Sequence, residues 1–307
     1  MLPINCFSDL MSRARLLGEG SAAVIHPVSD MVLRSTLTAR SLGLIRPVLV
    51  GPEARIRAVA EQAGLDLADI RILDTEHSQA SVETAARLAR EGQVELLVKG
   101  STSTDELMSV LVEASSGMRT ARRMSHVFVM EVSTYRKLLL ITDGALNVTP
   151  DLAAKRDIVQ NAIDLAHALS IDLPKVAILS AQEKVKPSIP STIDAAALCK
   201  MADRDQITGG LLDGPLAFDN AISADAARVK GIRSEVAGDA DILLAPDLEA
   251  GNLLAKQLSY LASARAAGIV MGARVPIVLT SRSEKEEGRV ISLALGVLVA
   301  HHRRKPR

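Results

Sequence analysis

The chain has 307 residues, 48% of them apolar, with three Phe, two Tyr and no Trp. That length allows one large domain or two of moderate size, and the core must be aliphatic, as suits helices packed on a parallel sheet. Lys plus Arg equals Asp plus Glu at 36 each, and few aromatics means few base-stacking platforms, so neither charge nor composition points to nucleic acid or a membrane surface.

The opening "MLPINCFSDLMSRARLLGEG" has no continuous apolar stretch of the kind a signal peptide needs. No apolar run approaches the ~18–20 residues of a membrane span. Cys6 and Cys199 lie in no metal-ligand or CxxC spacing, which predicts reduced thiols in a cytoplasmic protein, or at most one accidental disulfide. "AAVIHP" (22–27) is a short apolar run stopped by Pro, and residues 28–43 have helical spacing ending at Gly. "RPVLVGP" (46–52) is strand-like, residues 53–64 form an amphipathic helix, and residues 70–73, 81–92 and 94–100 continue the alternation. This β-α-β pattern predicts a parallel sheet with right-handed crossovers.

The middle differs. "SHVFVMEV" (125–132) and "KLLLITDGALN" (137–147) flank "STYR", which predicts an antiparallel hairpin. Residues 150–171 read as a long helix with Pro in its first turn. Residues 175–180 and 240–247 read as buried strands, with a helix at 191–202 between them, and the last helices as 252–268 and 283–301. The closing "HHRRKPR" is a basic end expected to fray. The predicted layout is two α/β domains, 1–120 with 273–307 and 121–272, where the strand "VPIVLT" returns to the first sheet. A ligand is expected in the cleft between them.

Four stretches could carry chemistry. In "VPIVLTSRSEKEEGR" (275–289) a strand ends by presenting Ser281 and Arg282 where a helix begins. The carboxyl edge of a parallel sheet, free helix N–H groups and a guanidinium together make an anion site. The plainer reading is that Ser283 and Glu286 form a capping box, though capping does not require Arg282. "VKGSTSTDELM" (98–108) places Lys99, Gly100, Ser101 and Thr102 in a hydroxyl-rich loop before a helix, without the spacing of a P-loop. Its plainer reading is an ordinary turn capped by Thr104. "MRTARRMSH" (118–126) gathers Arg119, Arg122 and Arg123, which also suits a solvated basic turn. In "APDLEAGNLLAKQL" (245–258), Asn252 and Lys256 share a helical face. No metal-ligand spacing and no GxGxxG fingerprint occurs.

Taken in order, "KGSTST", "DGPLAFDNAIS", "GDADILLAPDLEAGNLLAKQL" and "AAGIVMGARVPIVLTSR" resemble the phosphate acetyltransferase/phosphate butyryltransferase family, and the likeness covers nearly the whole chain. "DGPLAFDNAIS" and "TSR" resemble the butyryltransferase branch more. The resemblance implies two α/β/α domains with an interdomain cleft, similar to the isocitrate/isopropylmalate dehydrogenase fold, and a homodimer or larger assembly. It implies reversible transfer of an acyl group between coenzyme A and inorganic phosphate, with coenzyme A as substrate, no permanent cofactor, no metal, no nucleic acid and no membrane. Arg282 would bind phosphate and stabilise the tetrahedral transition state, and Ser281 would hydrogen-bond the phosphate or oxyanion. The family's suggested base, an Asp, falls on Gly288; a one-residue shift selects Glu287, with Glu284 and Glu286 nearby. Lys99, Gly100, Ser101, Thr102, Asp143, Asn147, Asn220, Asn252 and Lys256 are the implied substrate-binding residues. Met108 stands where some acetyltransferases have an arginine, which fits a butyryl or other short-chain substrate. The alternatives are acetyl-CoA as substrate, a dehydrogenase, for which metal-binding aspartates and a nicotinamide site are missing, and a non-catalytic coenzyme A-binding protein.

Overall fold

The computed structural model describes residues 2–304. It divides into a terminal unit, Phe7–Arg122 with the described part of Ala267–Arg307, and a central unit, Arg123–Ala266 with the described part of Met1–Cys6.

The terminal unit begins with α1 (Phe7–Leu17), β1 (Gly20–Ile25), α2 (Asp30–Ser41), β2 (Ile45–Val50), α3 (Glu53–Gln62), β3 (Arg71–Leu73), α4 (Ser78–Arg90), β4 (Leu96–Lys99) and α5 (Thr104–Leu111). The central unit follows with β5 (Ser125–Glu131), β6 (Leu139–Thr142), α6 (Leu152–Ala168), β7 (Lys175–Leu179), α7 (Pro190–Ala202), β8 (Leu211–Leu216), α8 (Phe218–Ile222), α9 (Ala224–Val229), β9 (Ile242–Leu244) and α10 (Leu248–Leu261). The chain then enters β10 (Arg265–Met271), β11 (Ile277–Val278) and α11 (Glu286–Arg304).

In the terminal unit the strand order is β3-β2-β1-β4-β11-β10, parallel throughout except that β10 runs antiparallel to β11. Central strands covered on both faces carry continuous apolar runs, and all four residues of β4 are buried. Residues 288–300 of α11 are all buried. This helix packs on α1, α2, β4 and β11, so it is apolar on every side, as a helix inside a core must be. Arg289 and Ser292 interrupt its apolar sequence. The Ser292 hydroxyl donates to the Gly288 carbonyl at 2.7 Å and accepts from the Gly268 N–H at 3.1 Å.

The central unit contains the hairpin the sequence predicts: β5 and β6 pair antiparallel, Val127 opposite Thr142 and Met130 opposite Leu139. The order continues β6-β9-β7-β8 with parallel pairing. Met130, Leu139, Ile141, Ala177 and Leu243 form part of one buried cluster.

Several elements differ from the sequence reading. The helix expected over 252–268 ends at Leu261. Ser263 turns left-handed at φ 52, the N–H groups of Ala262 and Ala264 both return to the Leu258 carbonyl, and the alanine-rich stretch after it becomes β10. The edge strand β8 and the opening helix α1 had no sequence counterpart. The final helix starts at Glu286 instead of Ser283, and no capping box forms: Glu286 accepts instead from the Thr38 hydroxyl of α2 at 2.6 Å. Residues 301–304 of the basic end complete α11, and 305–307 lie outside the described residues. Among the described residues no helix is long and apolar enough to cross a membrane.

Candidate active site

At the carboxyl edge of the terminal sheet, β4 ends in Lys99 and passes through Gly100 into a short loop. A Cβ on Gly100 would lie 2.9 Å from the His26 carbonyl oxygen and closer still to that of Ile25, so only glycine lets the end of β4 pass the end of β1. The His26 carbonyl accepts the Ser101 N–H at 3.0 Å, which fixes the loop's direction. Ser103, not Thr104, caps α5, accepting the Glu106 N–H at 3.0 Å. The two hydroxyls before the cap are left over: Ser101 Oγ and Thr102 Oγ1 are buried without a hydrogen-bond partner among the described residues. Such groups cost stability unless a ligand or water satisfies them.

Lys99 is 4% exposed and has neither an ion-pair nor a side-chain hydrogen-bond partner among the described residues. Burial, then the positive charges of Arg289 and Arg282, bring its pKa down to about 8. Arg289 is 8% exposed, and its guanidinium folds back over the segment before α11. It donates to Thr280 Oγ1 at 3.0 Å, to the Ser281 carbonyl at 2.9 Å, to the Arg282 carbonyl at 3.4 Å and to the Glu284 carbonyl at 3.2 Å. One buried cation thus shapes the whole turn that carries Ser281 and Arg282. Sequence reasoning missed Arg289, although a lone charge inside "GRVISLALGVLVA" was the available signal, because a charge in an apolar helix needs a reason.

Arg282 is exposed, with no side-chain partner among the described residues. The Ser281 hydroxyl exchanges a hydrogen bond with Ser283 Oγ at 3.0 Å and accepts the Ser283 N–H at 3.3 Å. Glu284 is half-buried, and burial raises its pKa. Glu287 is exposed. Lys99, Arg282 and Arg289 therefore gather positive charge at one sheet edge beside unpaired hydroxyls. A buried cation without a carboxylate beside it, as Lys99 is among the described residues, is matched to an anionic ligand, and guanidiniums suit phosphate oxygens.

The candidates of the central unit are placed differently. The Asp143 carboxylate accepts from the N–H groups of His126 (3.2 Å), Ala145 (2.9 Å) and Leu146 (3.0 Å) and from Asn147 Nδ2 (2.6 Å). Asn147 also donates to the Met124 carbonyl at 3.0 Å, and Asn252 to the Gly144 carbonyl at 2.9 Å. These side chains tie the loop after β6 to its surroundings. Asn220 is buried and donates to Glu183, while its Oδ1 has no partner among the described residues. Lys256 is exposed on α10. Among the described residues no group of three or more His, Cys, Asp or Glu could hold a metal ion.

A profile of the family described as phosphate acetyl/butaryl transferase matches residues 79–297. The chain belongs to this family. It is a phosphate acyltransferase, moving an acyl group between coenzyme A and phosphate. A phosphate acetyltransferase of Rhizobium meliloti is 55% identical over 298 residues, 97% of this chain and 94% of that protein. A phosphate butyryltransferase of Clostridium beijerinckii is 39% identical over 294 residues, 96% and 97% of the two chains. The expected leaning to the butyryltransferase branch is thereby overturned: the more similar relatives are acetyltransferases. The short motifs "DGPLAFDNAIS" and "TSR" proved too local to separate the branches. The crystal structure of a branched-chain phosphotransacylase from Enterococcus faecalis V583 superposes with a TM-score of 0.80 at 27% identity, covering 92% of this chain and 99% of that one. The fold is that of the phosphotransacylases, which corrects the expected likeness to isocitrate/isopropylmalate dehydrogenases.

Proposed function

We propose that this phosphate acyltransferase uses acetyl-CoA, forming acetyl phosphate and free coenzyme A reversibly, and that the phosphoryl group is held by Lys99, Arg282 and the hydroxyls of Ser101, Thr102 and Ser281. The observation that carries the phosphate site is the buried ammonium of Lys99, which has no ion-pair partner and stands beside two buried hydroxyls without partners among the described residues, with Arg289 and Arg282 adding positive charge. The acetyl preference is supported by the 55% identical acetyltransferase. Lys99 and Arg282 would neutralise phosphate as it attacks, and Ser281 would donate to the oxygen that gains charge in the tetrahedral transition state. Transfer is direct. Burial pushes the Cys199 thiol up to about 12, and among the described residues the Ser281 hydroxyl meets only Ser283, so neither is an activated nucleophile. Assembly as a homodimer or larger and a cytoplasmic location belong to the same reading.

A thiol-release assay with phosphate and acetyl-, propionyl- and butyryl-CoA tests it, on the native enzyme and Arg282→Ala. Acetyl-CoA should give the highest kcat/KM, and the variant should lose ~10²–10³-fold. No phosphate-dependent release with any acyl-CoA removes the reading, and faster release from butyryl-CoA removes its acetyl part.

A further inference from the structure

We propose that His26 makes the phosphate site selective for hydrogen phosphate: its imidazole Nε2 accepts the proton that the phosphate dianion carries and sulfate lacks. The inference rests on the phosphate site proposed above. The cations Lys99 and Arg282 attract any tetrahedral dianion. The hydroxyls of Ser101 and Thr102 turn to suit either a donor or an acceptor. None of these groups separates phosphate from sulfate. A fixed acceptor does, because it is left unpaired against an oxygen without a proton.

The order β3-β2-β1-β4 in the terminal sheet makes the chain change direction across the sheet between β1 and β4. In open α/β sheets a ligand sits outside the carboxyl ends of the strands at such a point. His26 follows β1 there, and Gly100 follows β4. The two loops touch. The His26 carbonyl accepts the Ser101 N–H at 3.0 Å and the Val28 N–H at 2.9 Å, while its own N–H donates to the Val50 carbonyl at 2.7 Å. The His26 backbone is left-handed at φ 49, a conformation uncommon outside glycine and concentrated at functional sites.

His26 is 7% exposed, and its two ring nitrogens are treated differently. Nδ1 lies 3.4 Å from the Ser81 hydroxyl of α4. That hydroxyl donates to the His77 carbonyl at 2.9 Å and meets Thr75 Oγ1 at 2.8 Å. With its one proton given to His77, Ser81 offers Nδ1 only a lone pair. Nδ1 therefore carries the ring hydrogen and Nε2 the ring lone pair. Nε2 has no partner among the described residues, yet it is not sealed in. A buried ring with one free acceptor, beside a loop of two unpaired hydroxyls, is matched to a ligand that donates. Burial and then the charge of Arg55 on α3 lower the imidazole pKa, against the opposing charge of Glu106 on α5. The ring is thus neutral at neutral pH, as an acceptor must be. The P–O–H group then faces His26, and the three oxygens without a proton face the cations.

The test measures binding of inorganic phosphate and of sulfate at neutral pH by calorimetry, each expressed per dianion. The native enzyme should bind phosphate about tenfold or more tighter than sulfate, the worth of one hydrogen bond to an ion. Asparagine tolerates a left-handed backbone and is too short to replace the ring, so His26→Asn keeps the loop and removes the acceptor. It should weaken phosphate about tenfold and leave sulfate within about twofold. In the thiol-release assay KM for phosphate should rise alike. KM for acetyl phosphate, whose dianion has no proton to give, should stay native. Ser81→Ala decides the question should His26→Asn melt early. It leaves Nδ1–H without an acceptor, so the ring hydrogen moves to Nε2, which donates to either anion, and the ratio of affinities should collapse toward one. Equal native affinities, a native ratio in the deciding variant, or equal losses for both anions in His26→Asn overturns the proposal. Failure of the native enzyme to bind either anion would instead overturn the phosphate site on which it rests.

Discussion

The loop after β4 and the loop after β6 both leave the end of a buried strand, and they treat their polar groups in opposite ways. Around Asp143 every carboxylate lone pair is used: four donors converge on it, and Asn147 and Asn252 close further backbone groups. Around Lys99 the groups are left over, with a buried ammonium lacking a partner and two buried hydroxyls lacking bonds among the described residues. A satisfied network holds a fold together. An unsatisfied one costs the empty protein stability, and that cost is recovered when a complementary ligand binds.

Lys99→Met gives the largest expected effect and tests the left-over side of the contrast. Activity should fall ~10²–10³-fold. Without phosphate, the variant should melt about 2–4 °C higher, the equivalent of about 1 kcal/mol in a chain of this size, because a buried unpaired charge has gone. A lower melting temperature would show that Lys99 supports the fold. Asp143→Ala should do the reverse. Freeing four donors at about 1 kcal/mol each should lower stability by about 3 kcal/mol or more, read from urea midpoints. A change in KM for phosphate with no loss of stability would move Asp143 to the ligand.

Much of this was legible in the sequence. Between residues 22 and 100 glycine or proline closes most segments, so β1, β2, α3, α4 and β4 could be placed from pattern alone. The hairpin β5–β6 followed from a Val- and Phe-containing run and a Leu- and Ile-rich run around a short polar turn. β10 did not, because "RAAGIV" continues the small apolar spacing of the helix before it and only the left-handed Ser263 breaks the run. The start of α11 was misplaced because Ser283 and Glu286 have capping-box spacing. The true partner of Glu286 is Thr38, 248 residues away, and spacing carries no information about contacts at that distance. Ser281 and Arg282 were singled out because a strand ends beside them, and α11 starts four residues beyond Arg282, at Glu286. The residue that shapes their turn, Arg289, looked like one more helix charge until its four backbone and hydroxyl acceptors were in view.

Two smaller predictions sharpen the comparison. Lys99 must carry its proton to hold phosphate, and its pKa is depressed to about 8. Protonation is therefore complete well below that pH and lost above it. Phosphate affinity, followed by thermal shift and expressed per dianion to remove phosphate's own ionisation, should fall by up to about tenfold per unit above pH 8, the limit for one linked proton. Lys99→Arg should remove that dependence. Smallest of all, Asn252→Ala should cost about 1 kcal/mol, the value of one neutral hydrogen bond to the Gly144 carbonyl, in urea unfolding.

The place of β11 has a consequence for synthesis. This strand of two residues, Ile277–Val278, lies between β4 and β10 and pairs with both. Until it leaves the ribosome, β4 has an open edge and the sheet that bears Lys99 is incomplete. The chain must therefore make the whole central unit while the terminal unit waits for its last strands, a long-range closure of the kind that slows folding and exposes strand edges. The guanidinium of Arg289 arrives eleven residues after β11 ends. The turn proposed to bind phosphate is thus among the last features of the terminal unit to form.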